Sequence, residues 1–308
     1  MTDTNTSGRR ETRSARNVVL VTGATGRIGR LVVEELLASG ATVRALTRRP
    51  GQAALPARVD VAAGDFTAPD SLDRALEDAV TVFLVWTAGL ATAPAVIERL
   101  AGQSTPVHRR IVYLSAPFRT PHPFFQQPNP MRDLQAEVER ILALSALEVT
   151  VLRPGMFASN ALHWWGPQIQ TGDVVRWPYG GAETAPVDER DVAAVAARTL
   201  LDARFTGGDF VLTGPESLSQ AAQVQAIGRA IGRSLQFEEL APDEFRGETA
   251  GIWPAGIADM LLGAWQATLG RPAYVTSSIQ EILGSPPRTF PRWAADNADA
   301  FAAQEGRR

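Results

Sequence analysis

From Asn17 onward the chain alternates between short, dense apolar runs and stretches in which apolar residues recur every three or four positions. NVVLV is the first run and predicts a buried strand. After a glycine-rich turn, Ile28, Leu31, Val32 and Leu36 share one face of a helix that Gly40 ends. VRALT is a second strand. A short strand near Val59–Ala62 follows, then a helix introduced by Asp70 with Leu72, Ala75 and Leu76 on one face, then a strand at Thr81–Val85. Pro94 is placed to be the first residue of the next helix, where its missing amide hydrogen costs nothing. IVYLSA, Ile111–Ala116, is a fifth strand. A proline-rich loop then leads to an amphipathic helix over MRDLQAEVER, with Leu134, Val138 and Ile141 inward, and LEVTVLRPG, Leu147–Gly155, is a sixth strand.

Strands that alternate with helices predict an α/β protein built on a doubly wound parallel sheet with helices on both faces, because each parallel crossover needs a long connection. After Gly155 the rhythm loosens into a tryptophan-containing helix, a VVRWP strand, the helix of DERDVAAVAARTLL, the strand DFVLTG and a run of helices.

The turn Gly23-Ala-Thr25-Gly26-Arg27-Ile28-Gly29 lies between the first strand and the first helix. Backbone N–H groups and the helix dipole meet there, and glycines let phosphates approach the backbone, so a dinucleotide pyrophosphate is the expected ligand. An acidic residue at the end of the second strand would hold a ribose 2′-hydroxyl. The chain has Thr47-Arg48-Arg49 instead, which favours a 2′-phosphate and hence NADP(H) over NAD(H), with Arg48 as the main clamp and Arg27 or Arg49 assisting. Asp65 and Phe66, after the third strand, are placed to receive the adenine. The expected organisation is a disordered tail over 1–16, a dinucleotide-binding core over 17–155, and a smaller, mainly helical substrate-binding lobe over 156–308. That lobe is interleaved with the remaining core elements, so the whole is one structural unit.

Composition narrows the chemistry. All 30 basic residues are arginine and cysteine is absent, which excludes Schiff-base lysines, a P-loop lysine, thiolate nucleophiles and disulfides. Three histidines, His108, His122 and His163, lack metal-ligand spacing, so no metal is expected. Tyr113, Tyr179 and Tyr274 are the only phenols. A net charge of -3 gives no general attraction to nucleic acid, although Arg9, Arg10, Arg13 and Arg16 make the first segment basic. No apolar run approaches the roughly 18 residues of a membrane span and no secretion signal is visible, so no membrane partner and a cytoplasmic location are expected.

TGATGRIG, VRALTRRP, GDF, VYLSA, QAEVERIL before EVTVLRPGMF, APVDERDVAAVAARTLL, VLTGPESLS and WAADNADAF together resemble the NmrA-like group of atypical short-chain dehydrogenases/reductases, which have a Rossmann-type fold. The resemblance runs from Asn17 to the end. It implies NADPH-dependent reduction of quinones, ethers, isoflavone-type compounds or iminium ions, or cofactor sensing without a redox reaction. It also implies that the nicotinamide lies along Ser115 and Pro154-Gly155, beside Gln135, with Trp86-Thr87 on its other side.

In the tyrosine–lysine version of the fold, a phenol protonates the substrate carbonyl while an ammonium lowers the phenol's pKa. The corresponding slots here hold Met131 and Gln135. Hydride transfer itself needs mainly an electrophile held over the nicotinamide, so the missing pair narrows the substrate to a quinone, iminium ion or enone. Ser115, His122 and His163 are the candidate catalytic side chains. Trp86, Phe118, Phe124, Phe125, Met131, Met156, Phe157, Trp164 and Trp165 should surround the crevice with Asn160 as a polar anchor, which suits a small apolar or aromatic substrate. Asp188, Glu189 and Asp191 read as helix-capping carboxylates. Glu137 and Glu139, two apart on a helix, face different ways and do not form a catalytic pair. The leading expectation is an NADPH-dependent reductase of a conjugated small molecule, in secondary metabolism, acting as a monomer or homodimer. The alternatives are a non-catalytic NADP(H) sensor and a non-redox tailoring enzyme for cyclisation, isomerisation or coupling.

Overall fold

The first apolar runs become parallel strands with both faces covered, so they carry apolar residues continuously rather than in alternation. The computed structural model describes residues 18–102, 109–254 and 256–302, without the side chains of Pro130 and Met131; the expected tail and His108 lie outside the described residues. Its strands are β1 (Val18–Val21), β2 (Thr42–Thr47), β3 (Asp60–Ala63), β4 (Ala79–Val85), β5 (Arg110–Leu114), β6 (Glu148–Pro154), β7 (Val174–Trp177), β8 (Glu183–Thr184), β9 (Asp209–Leu212), β10 (Leu218–Ser219) and β11 (Gln236–Glu239). Seven of them form one sheet in the order β3-β2-β1-β4-β5-β6-β9, and every pairing is parallel. The order reverses beside β1, the position at which a Rossmann-type sheet opens a crevice for a dinucleotide.

The helices are α1 (Arg27–Ala38), α2 (Asp73–Leu76), α3 (Ala93–Ala101), α4 (Pro130–Ala143), α5 (Asn160–Trp164), α6 (Gly166–Thr171), α7 (Glu189–Leu201), α8 (Gln220–Ala230), α9 (Pro242–Thr249), α10 (Ile257–Gln266), α11 (Ser278–Leu283) and α12 (Phe290–Asp296). One face of the sheet is covered by α1, α7 and α11 through Val32, Leu36, Val192, Leu200 and Ile279. The other is covered by α2, α3 and α4 through Leu76, Val96, Ile97, Val138 and Leu142. A third core holds the later helices together around Trp165, Trp177, Phe245, Trp265 and Trp293.

Two local readings differ from the sequence expectation. The helix introduced by Asp70 is a 3-10 turn over Pro69–Leu72 followed by a single α-turn. Pro94 is the second residue of α3, not the first, a position whose amide hydrogen also has no partner within the helix. A buried arginine ties the amino ends of the central strands to α2 and α3: Arg109 donates to the carbonyls of Ala79 (2.8 Å), Leu100 (2.8 Å) and Leu76 (3.0 Å). No helix among the described residues is long and apolar enough to cross a membrane.

Candidate active site

The turn after β1 is shaped by sterics. Gly23 has φ +63°, in the left-handed region, and a Cβ on Gly29 would lie 2.2 Å from the Gly23 carbonyl oxygen, so glycine is required at both. The Thr22 hydroxyl accepts from the Val85 amide (2.8 Å) and donates to the Phe83 carbonyl (3.1 Å), which fixes the end of β1 against β4. The start of α1 has no side-chain cap and no acidic residue in its first turn. Its free amides and positive dipole end therefore fit a pyrophosphate.

The expected cofactor residues are gathered along the carboxyl ends of β1 to β6. Arg48 and Arg49 are exposed after β2, and Arg48 is a charged neighbour of Asp65. Asp65 accepts from the Thr67 amide (2.9 Å), and this hydrogen bond, ahead of the Arg48 charge, holds its carboxyl below the ordinary range. Phe66 is buried and stacks on Trp86 at 5.1 Å. Arg30, which the sequence reading passed over, ties the glycine turn to the segment beyond β2 by donating to the carbonyls of Thr25 (3.1 Å), Ala53 (3.0 Å) and Ala54 (2.8 Å).

A cavity of about 350 Å³ opens beyond Ser115, Pro154 and Gly155. Phe118, Phe124, Phe125, Met156, Phe157, Asn160 and Trp164 line it, together with Gln135. Two of the expected aromatics are elsewhere: Trp86 is not in its lining and packs on Phe66, and Trp165 is fully buried behind Trp164. The Met131 side chain is outside the described residues. Met260, Leu261 and Ala264, on α10, close the cavity from the far end of the sequence.

Beneath the cavity floor lies a charged cluster that periodicity alone did not reveal. Glu139 and Arg153, both almost fully buried, are joined by two hydrogen bonds of 2.7 and 2.9 Å. Arg153 also holds Asp209 at 2.5 and 2.9 Å and the Ala116 carbonyl at 2.9 Å, and its guanidinium stands 5.1 Å from the centre of the Phe118 ring. Burial works against the Arg153 charge, but its hydrogen bonds to Asp209 and Glu139 outweigh this and raise its pKa. Arg119 adds a second ion pair to Glu139 at 3.1 Å. The Ser115 hydroxyl donates to Glu139 at 2.5 Å. Its proton is therefore turned towards a carboxylate, and its lone pairs are left for the cavity.

The other proton donors are also placed. Tyr113 is buried with its hydroxyl unpartnered, and burial, followed by the Glu139 charge, pushes its phenol above the usual range. His122 holds the Pro272 carbonyl at 3.1 Å and sits behind Phe124 and Phe125, in a small side pocket with Tyr274. His163 is exposed, 3.2 Å from the Arg27 guanidinium at the glycine turn, and does not line the cavity. Asp188 caps α7 through the Arg190 amide (2.8 Å), as expected of that cluster. Glu189 accepts from the Ser159 amide (3.3 Å) and Asp191 from the Arg288 amide (2.7 Å), so these two carboxylates tie α7 to an earlier and a later segment.

Comparison with known proteins agrees with this architecture. The family model for NAD(P)H-binding proteins matches residues 23–203. A (4-alkanoyl-5-oxo-2,5-dihydrofuran-3-yl)methyl phosphate reductase of Streptomyces griseus is 36% identical over 289 residues, covering 93% of this chain and 100% of that protein. An NAD(P)H azoreductase of Xenophilus azovorans is 28% identical over 296 residues, covering 93% and 100%. The NADPH complex of an NADPH-dependent quinone oxidoreductase from Escherichia coli superposes with a TM-score of 0.73 at 25% identity, over 91% of this chain and 98% of that one. With a glycine turn that fits phosphates and a cavity at the carboxyl ends of β5 and β6, the chain belongs to the NAD(P)H-binding family as an oxidoreductase of the NmrA-like, atypical short-chain dehydrogenase/reductase type.

Proposed function

We propose that this oxidoreductase uses NADPH in preference to NADH and reduces a small conjugated electrophile, foremost an alkene activated by neighbouring carbonyls. The carrying observation is the cavity itself: aromatic and apolar walls beside Ser115 and Gly155, with the one hydroxyl at that edge donating to Glu139. A simple ketone needs a proton at its oxygen as the hydride arrives. An alkene conjugated to a carbonyl disperses the incoming electron pair onto that oxygen and takes its proton from water afterwards, so a positioned acid is dispensable. The Streptomyces relative's named substrate has such an alkene in its dihydrofuranone ring, and it also carries a phosphate.

A bound nicotinamide cofactor would supply the hydride. The chain's own residues position the partners. Gly23, Gly26 and Gly29 admit the pyrophosphate, Arg48 and Arg49 meet a 2′-phosphate, and Phe66 stacked on Trp86 borders the adenine end. Ser115, held by Glu139, offers an acceptor to an amide or hydroxyl hydrogen at the reacting end. Phe118, Phe157 and Trp164 hold a flat substrate and exclude water from its faces.

The test follows absorbance of the reduced cofactor against panels of enones, quinones, iminium ions and simple ketones. Turnover of conjugated members with little turnover of simple ketones is expected, together with a preference for NADPH. Efficient reduction of simple ketones would overturn the assignment. Tight NADPH binding with no turnover of any member would favour a sensor.

A further inference from the structure

The charges around the cavity are distributed unevenly. Among the described residues that line it, one alone carries a charge, Arg132 in the first turn of α4, and none is a carboxylate. The neighbouring guanidiniums are spoken for: Arg119 and Arg153 are both paired with Glu139. Among the described residues the Arg132 guanidinium makes no hydrogen bond or ion pair. A half-buried guanidinium with no protein partner keeps its donors available to an incoming anion.

Its place is equally telling. A polar groove, lined by Gln126, Asp133 and Asp259 among others, opens off the cavity, and Gln127, Asn129, Arg132 and Met260 line both spaces. Asp259 is committed to Arg246 at 2.7 Å, and Asp133 is exposed in the groove without lining the cavity. A ligand whose flat body fills the aromatic chamber would carry its far end to the junction where Arg132 stands.

We infer that Arg132 is an oxyanion subsite, so that the enzyme selects conjugated substrates bearing a phosphate or carboxylate at the end remote from Ser115. The planar guanidinium fork matches either group with two parallel hydrogen bonds. This deepens the reductase reading and rests on it for the substrate's reacting end.

The experiment is a calorimetric titration of the NADP⁺-saturated protein, in which the cofactor's own phosphate site is already filled, with 2-naphthyl phosphate, 2-naphthoate and 2-naphthol. The parent is expected to bind at least one of the two anions more than tenfold tighter than naphthol, and the phosphate and carboxylate arms distinguish the two sources. Arg132→Leu should bring that ratio close to one, while Arg132→Lys keeps part of it. Arg140→Ala, a charge change on the same helix that lines neither the cavity nor the groove, should leave the ratio as in the parent. A parent that binds naphthol as tightly as both anions, or an anion preference that survives Arg132→Leu, overturns the proposal. Because the readout is binding, it is separable from the reductase reading: anion selection through Arg132 without any enone turnover would sink that reading alone.

Discussion

Replacing Glu139 by glutamine tests whether the charged cluster under the cavity is a structural keystone. The substitution conserves shape but removes the charge that Arg153 and Arg119 share and turns an amide donor towards one of them. Removing one partner of a buried pair costs 3–5 kcal/mol in general, and because Arg153 keeps Asp209 the lower end applies, about 3 kcal/mol. At about 2.1 cal/mol/K per residue, a chain of 308 residues unfolds with an entropy of about 0.6 kcal/mol/K. The expected fall in Tm is therefore about 5 °C, read by circular dichroism at neutral pH. Glu137→Gln is the internal control. That carboxylate is two residues away on the same helix but meets only Arg140 at the surface, so its loss should leave Tm close to the parent's. Equal Tm values for Glu139→Gln and the parent, or equal losses at the two glutamates, would refute the burial argument.

Tyr113→Phe removes a buried hydroxyl that has no partner, so Tm should stay level or rise; a clear fall would mean that an unseen partner satisfies it. Gly29→Ala drives a methyl into the Gly23 carbonyl and should weaken NADPH binding more than tenfold by fluorescence titration, whereas Gly51→Ala, with open space around it, should not. Arg48→Ala should raise the NADPH Kd roughly tenfold or more, since hydrogen bonds to charged groups contribute about 1.5–3 kcal/mol, and leave NADH unchanged; equal losses for both cofactors would remove Arg48 as the 2′-phosphate clamp. Hydrogen bonds from the Arg204 side chain, then its backbone amide, depress the Asp202 carboxyl to about 2. A carboxyl held below its unfolded value stabilises above that value and ceases to as pH falls through the folded one. Any Tm advantage of the parent over Asp202→Asn should accordingly be full above about pH 4 and vanish towards pH 2, and an advantage that grew on acidification would contradict the sign.

The sheet was legible because parallel strands buried on both faces leave unbroken apolar runs, and the glycine turn was legible because few other residues tolerate its backbone. The short α2 was not: one α-turn after a 3-10 turn leaves the same apolar spacing as a longer helix. Glu139 was passed over by pairing it with Glu137, although Gln135, Val138, Glu139 and Leu142 follow the spacing of a single helix stripe. Arg153, in the apolar run that forms β6, was the matching signal, since a charge in a covered strand must be paired. The α10 wall of the cavity and Arg132's isolation depend on how distant segments fold back, which local periodicity does not encode.

The placement of α7 has a consequence for how the protein is made. The helix that covers α1 is Glu189–Leu201, and the last strand of the sheet, β9, begins only at Asp209. At ribosomal speeds of about 5–20 residues per second, the outer face of α1 waits roughly 8–30 seconds between its own synthesis and the arrival of its cover. During that interval the nascent chain displays the complete phosphate turn on an uncovered apolar helix, a form that invites chaperones before it can retain a nucleotide. A message cut short after β6 would yield every glycine of the cofactor turn and no stable place to hold it.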